Sequence, residues 1–100
     1  MPIMINANMP LAITENMTFE RHIFSTGSTK TIISTFSKYD GNRHILRVFQ
    51  LMYNNVTLNF DYVQELEAFS FKTHHNLSEF LDQLPFLNGI EMLLALNPVD

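Results

Sequence analysis

The segment Val56-Thr57-Leu58-Asn59-Phe60-Asp61-Tyr62 alternates apolar and polar residues without a break. A period of two sends every second side chain to one side of an extended chain, so the segment reads as a half-buried strand. Asn54-Asn55 stands directly before it, preceded by a second β-rich run, Ile45 to Tyr53. Asparagine tolerates the positive φ angles of a tight two-residue turn, so the two runs are expected to pair as an antiparallel hairpin. In the run Ile45 to Tyr53, Ile45, Phe49 and Leu51 fall on one face and Leu46, Val48 and Met52 on the other. That is the pattern of a central strand covered on both sides.

The flanking segments extend this hairpin into a meander. Met17 to Ser25 is β-compatible and runs into a turn at Thr26-Gly27-Ser28-Thr29. Thr31 to Ser37 is rich in the β-branched side chains that fit a pleated surface. Tyr39-Asp40-Gly41-Asn42 contains the Asp-Gly pair of type I′ hairpins. Residues 61–72 fit two descriptions, a helix capped by Asp61 or a strand with Phe69 and Phe71 on one face, and the Phe-Ser-Phe alternation favours the strand. Towards the end the period changes. Leu77, Phe80, Leu81 and Leu84 recur at helical spacing behind a cap at Asn76 or Ser78. Pro85 interrupts this helix, Ile90 to Leu96 resumes it, and Asn97-Pro98 stops it.

The expected architecture is therefore α+β: an antiparallel four- to five-stranded β-meander packed against one broken C-terminal helix. Residues 17–100 form the single domain. Residues 1–16 are an arm in which Pro2 and Pro10 disfavour a regular element, yet Ile3, Met4, Ile5, Met9, Leu11 and Ile13 make it too apolar for a solvated tail. Such an arm lies across the core, as an irregular or edge strand, or docks on another subunit.

Charge and composition exclude several function classes. The net charge of −4 and six dispersed basic residues argue against a phosphate-binding surface. The chain has no cysteine, which removes disulfides and thiolate metal sites. No run approaches the ~18 apolar residues of a membrane span, and the first ten residues lack the basic start and apolar stretch of a signal peptide. A soluble, cytoplasmic protein with no cofactor is expected. Its size and lack of cysteine fit a phage or mobile-element product.

Catalytic patterns are weak. His74-His75 with Asp40 or Glu79 is the best candidate for zinc, but neighbouring histidines on an extended chain point in opposite directions and rarely reach one ion. The serine- and threonine-rich 25–29 stretch offers a nucleophile or an anion cradle, without the surrounding motif that either chemistry uses. Glu65 and Glu67 share a side if extended, which permits an acid–base pair only inside a cleft.

Binding fits better. Twelve aromatic residues and six methionines exceed what one small helix–sheet interface consumes. Aromatic and Met side chains are enriched where proteins meet. The segment Ile90-Glu91-Met92-Leu93-Leu94-Ala95-Leu96 is apolar almost all round and stands at one end of the chain. Burial against a partner, or in the sheet's concave face, would satisfy it. The expectation is a non-enzymatic protein-interaction module, an inhibitor, adaptor or assembly subunit that also self-associates. Its partner-binding residues would be Arg43, Arg47, Tyr53, Tyr62, Phe86, Met92 and Leu93. The competing expectation is a single-stranded nucleic-acid binder using the sheet face around Arg43, Arg47, Tyr53 and Tyr62.

Overall fold

The computed structural model describes residues 7–25, 30–84 and 89–97. In chain order they form β1 (Ala7–Asn8), α1 (Leu11–Thr14), β2 (Thr18–Phe24), β3 (Thr31–Tyr39), β4 (His44–Asn54), β5 (Asn59–Phe71), α2 (His74–Gln83) and α3 (Gly89–Leu96). The five strands make one sheet in the order β1-β5-β4-β3-β2. The run β2 to β5 is the expected antiparallel meander, and residues 61–71 are strand. The α+β class holds.

The sheet is mixed, however, because β1 adds to the outer edge of β5 in parallel through Ala7↔Phe60 and Asn8↔Asp61. Composition explains both the docking and its brevity. Asp61 takes one hydrogen bond from Asn8 Nδ2 at 3.1 Å and another from Asn54 Nδ2 at 2.8 Å, which ties the arm to the end of the hairpin. Pro10 then has no amide to offer a ladder, and its carbonyl instead starts the single turn of α1 by accepting from Ile13 N.

The β4–β5 hairpin forms with a longer turn than its sequence suggests. Residues 55–58 make a four-residue connection between the paired Asn54 and Asn59. Asn54 Oδ1 accepts from the amide of Val56 at 2.8 Å, and the carbonyl of Asn54 accepts from Leu58 N at 2.8 Å. An asparagine side chain standing in for a backbone acceptor is what shifts the turn forward by these residues. Val56 and Leu58, the first apolar members of the expected strand, are 91% and 64% exposed. Leu58 closes the turn at φ +59°, a left-handed conformation costly for a leucine.

In the β3–β4 hairpin, Gly41 is at φ +95° and Asn42 is not in the positive-φ region. The turn is centred on Gly41-Asn42 and has one positive φ where a type I′ turn needs two, so it is not the expected I′ hairpin. Asp40 Oδ1 accepts from the amides of Asn42 and Arg43 at 2.9 and 2.7 Å, and these bonds hold its carboxyl below the usual carboxylate range.

β4 is covered on both faces, as its pattern implies. On one face Leu46 and Val48 join Ile23, Ile33 and Leu66 under Leu77, Leu81 and Leu84 of the α2 segment and Ile90 of α3. On the other, Phe49 and Leu51 join Ile32 beneath Ala7, Met9 and Ile13. The helix cap is Thr73, whose side chain accepts from Asn76 N at 3.1 Å, so α2 starts before the expected Asn76 or Ser78. The C-terminal region contains two helices, α2 and α3; Pro85 lies outside the described residues.

Candidate functional site

Alternation along β4 puts Arg47, Phe49, Leu51 and Tyr53 on the face away from the helices; Tyr62, opposite Leu51, joins them, and so does Arg43, just before β4, through its bonds to Ser70. Four residues selected from sequence thus share one face. Their chemistry is largely engaged there. Arg47 donates through Nε and Nη2 to the two carboxylate oxygens of Glu65 at 2.9 and 2.8 Å. Its guanidinium also lies 5.1 Å from the centre of the Phe49 ring and reaches Met17 Sδ at 3.8 Å. The hydrogen bond to Glu65 raises the already high pKa of Arg47 further. Arg43 bonds Ser70 through both the hydroxyl and the carbonyl.

The rings on this face form a ladder. Phe19, Phe36, Phe49 and Tyr62 meet edge-to-face at 5.4, 5.9 and 6.0 Å, and Tyr53 packs the same way on Phe60 at 5.3 Å. A stacking platform for bases needs open ring faces. Here Ala7, Met9 and Ile13 pack over the middle of the ladder.

Between this N-terminal cover and the β2 edge lies an open cleft of about 260 Å³, lined by Ala7, Met9, Thr14, Phe19, His22 and Phe36. His22 is the residue of interest. Its Nδ1 is 2.8 Å from Ser34 Oγ and its ring tilts against Phe19 at 4.7 Å. Burial pushes its pKa below the ordinary value, which favours the neutral imidazole. A histidine bonded to a serine suggests nucleophilic catalysis, but Ser34 is fully buried, so its hydroxyl has no access to a substrate. The sequence carries no local signal for His22 as a site residue, because its partner Ser34 lies on the neighbouring strand.

The α3 helix crosses the opposite face. Glu91 lies by Ser25 at the end of β2, while Asn97 donates to Leu66 O and accepts from Gln64 Nε2 on β5. Ile90, Leu93 and Leu94 face the core, whereas Met92 and Leu96, one turn apart, are 62% and 72% exposed. Of the residues expected to bind a partner, Met92 is therefore presented outward, and Leu93 packs inward. Phe86 lies outside the described residues.

The remaining candidates do not converge. His74 and His75 sit on the first turn of α2 rather than on an extended chain. His75 Nε2 pairs with Glu79 at 3.0 Å, and His74 meets the His44 ring at 5.7 Å. Among the described residues no group of three ligating side chains could hold a metal ion. Glu65 is opposite Phe49 and Glu67 opposite Val48, across a register shift. Consecutive β4 residues point to opposite faces, so the two carboxylates are separated by the sheet rather than paired. Of the 25–29 stretch only Ser25 is among the described residues. Among them no helix is long and apolar enough to cross a membrane.

No protein-family model, curated protein or solved structure matches the chain.

Proposed function

We propose that this chain is a small non-enzymatic protein-interaction module, which occupies a surface of a larger protein as an inhibitor, adaptor or assembly subunit and self-associates. The supporting observation is the outer side of α3, where Met92 and Leu96 stand exposed on a helix whose one charged side chain is Glu91. A surface helix ordinarily turns polar residues to water, and an apolar outer edge marks a place of association. A cytoplasmic setting is part of the same reading and rests on the sequence alone.

The nucleic-acid reading draws on the shared face of Arg43, Arg47, Tyr53 and Tyr62. Arg47's pairing with Glu65 and the segment packed over the rings weigh against it.

Light scattering across a concentration series, with the Met92→Glu/Leu96→Glu variant beside the parent chain, tests the reading. Glutamate is as good a helix former as either residue, so the fold should persist while association is lost. A parent chain that stays monomeric to about 1 mM, a concentration at which even ~4 kcal/mol of association would show, refutes self-association. A tagged pull-down with mass spectrometry then separates the readings: a defined protein that the variant fails to capture supports the module, and recovered nucleic acid overturns it.

A further inference from the structure

We propose that the cleft between the N-terminal segment and β2 is a binding site for a small neutral phenolic molecule, its ring against Phe19 and Phe36 and its hydroxyl on His22 Nε2. The site does not involve α3, so it stands or falls separately from the proposed interaction function.

Size comes first. A cavity of ~150 Å³ admits benzene, and pockets for drug-sized ligands start near ~300 Å³. At about 260 Å³ this open cleft has room for one substituted ring against its wall. Its walls are selective. Two phenyl rings, a thioether and a methyl group, from Phe19, Phe36, Met9 and Ala7, supply contacts suited to an aromatic guest. None of the six lining residues carries a charge while His22 is neutral, so an ionic ligand would find no counter-charge.

The polar end is supplied by His22, with Thr14 also lining the cleft. Ser34 occupies His22 Nδ1, and Nε2 has no hydrogen-bond partner among the described residues. Whether Nε2 carries the proton depends on which way the Ser34 bond runs. A phenol hydroxyl both donates and accepts, so it satisfies either tautomer. A carbonyl, which only accepts, or an ammonium, which only donates, would satisfy one alone.

The experiment is a titration of the full chain, with its methionine methyls carbon-13 labelled, using p-cresol as probe, toluene as the shape-matched control and Gly-Gly-Tyr-Gly-Gly as a peptide bearing the same ring. The expected result is a saturable p-cresol shift at the Met9 methyl, assigned with Met9→Leu. Toluene should bind about fivefold more weakly, the worth of one net hydrogen bond. His22→Phe, which keeps a ring in place, should bring p-cresol down to the toluene affinity. The parent-chain comparison carries the test should that variant fail to fold. No saturable Met9 shift up to about 10 mM, near the weakest affinity such a contact could have, overturns the site. Equal binding of p-cresol and toluene overturns the role of His22. Tighter binding of the peptide than of p-cresol overturns the free small molecule as ligand and assigns the cleft to a tyrosine side chain.

Discussion

Replacing Arg47 and Glu65 by methionine, singly and together, measures how firmly the face opposite the helices is locked. The two side chains keep 28% and 32% of their accessible surface, so the pair is neither free in water nor sealed in the core. Opposite charges ~4 Å apart attract by ~4 kcal/mol at an effective dielectric constant near 20. Partial desolvation of both groups and the ordering of two long side chains offset much of that. Exposed pairs end at ~0–1 kcal/mol, while breaking a buried pair costs ~3–5 kcal/mol. The position of this pair between those limits, with bidentate geometry, gives a coupling of ~1–2 kcal/mol. Arg47→Met should be the worse single change at ~2 kcal/mol, because it leaves the Glu65 carboxylate opposite Phe49 without a cation. The double variant should fall within ~1 kcal/mol of the parent, since two thioethers suit that aromatic setting.

Urea is the denaturant to use, as guanidinium would screen the charges being measured, and far-UV circular dichroism suits a chain with no tryptophan. At a typical ~1 kcal/mol per molar urea, the Arg47→Met midpoint should drop by ~2 M. Additive single effects, with coupling below ~0.3 kcal/mol, would refute the reasoning. Arg47 would then be free in solution, and the nucleic-acid reading of this face would regain its main cation.

Smaller changes probe local structure. Thr73→Ala should destabilise the fold by ~1 kcal/mol through loss of the helix cap, whereas Asn76→Ala and Ser78→Ala should change it by less than ~0.5 kcal/mol; chemical denaturation distinguishes the three. Leu58→Asn should stabilise by ~0.5–1 kcal/mol, because asparagine accepts the left-handed conformation and this leucine is mostly exposed; Leu58→Val should do the opposite. His22 adds a pH dependence of known sign. Its folded pKa lies below the ordinary 6.5, so the unfolded chain binds more protons between the two values. The associated stability is complete above 6.5 and is lost as pH falls through the lower folded value, a step in a pH series of urea midpoints that His22→Phe should remove.

The meander was legible because β-branched and alternating residues in 31–37 and 45–53 leave little choice, and both faces of β4 could be assigned by parity. What escaped was every feature set by a side chain acting on the backbone. Asn54 captures the amide of Val56 and so moves the turn, which turns an alternating stretch into loop. Thr73 captures that of Asn76 and starts the helix early. The register shifts in β5 near Leu66 and Val63 leave no compositional mark, yet they decide that Glu65 meets Arg47 while Glu67 points the other way. The cleft was invisible for a similar reason. His22, Phe36 and Met9 are far apart in sequence, and only the pairing of β2 with β3 and the return of the arm bring them together.

The fate of the apolar surplus narrows where a partner has to bind. At the N-terminal end Ala7, Met9 and Ile13 are consumed by the chain's own sheet, with Leu11 left outside. At the other end the inner stripe of α3 is consumed too, through Ile90, Leu93 and Leu94. An excess spread over both ends would have pointed to an extended interface; among the described residues at the two ends, the apolar side chains that remain adjacent on one regular element are Met92 and Leu96. Two side chains one helical turn apart suit a ridge entering a groove rather than a broad flat contact. Truncating them should therefore remove most of the association at once, since binding energy concentrates in a few central side chains. A gradual loss spread over many surface substitutions would place the interface elsewhere on the molecule.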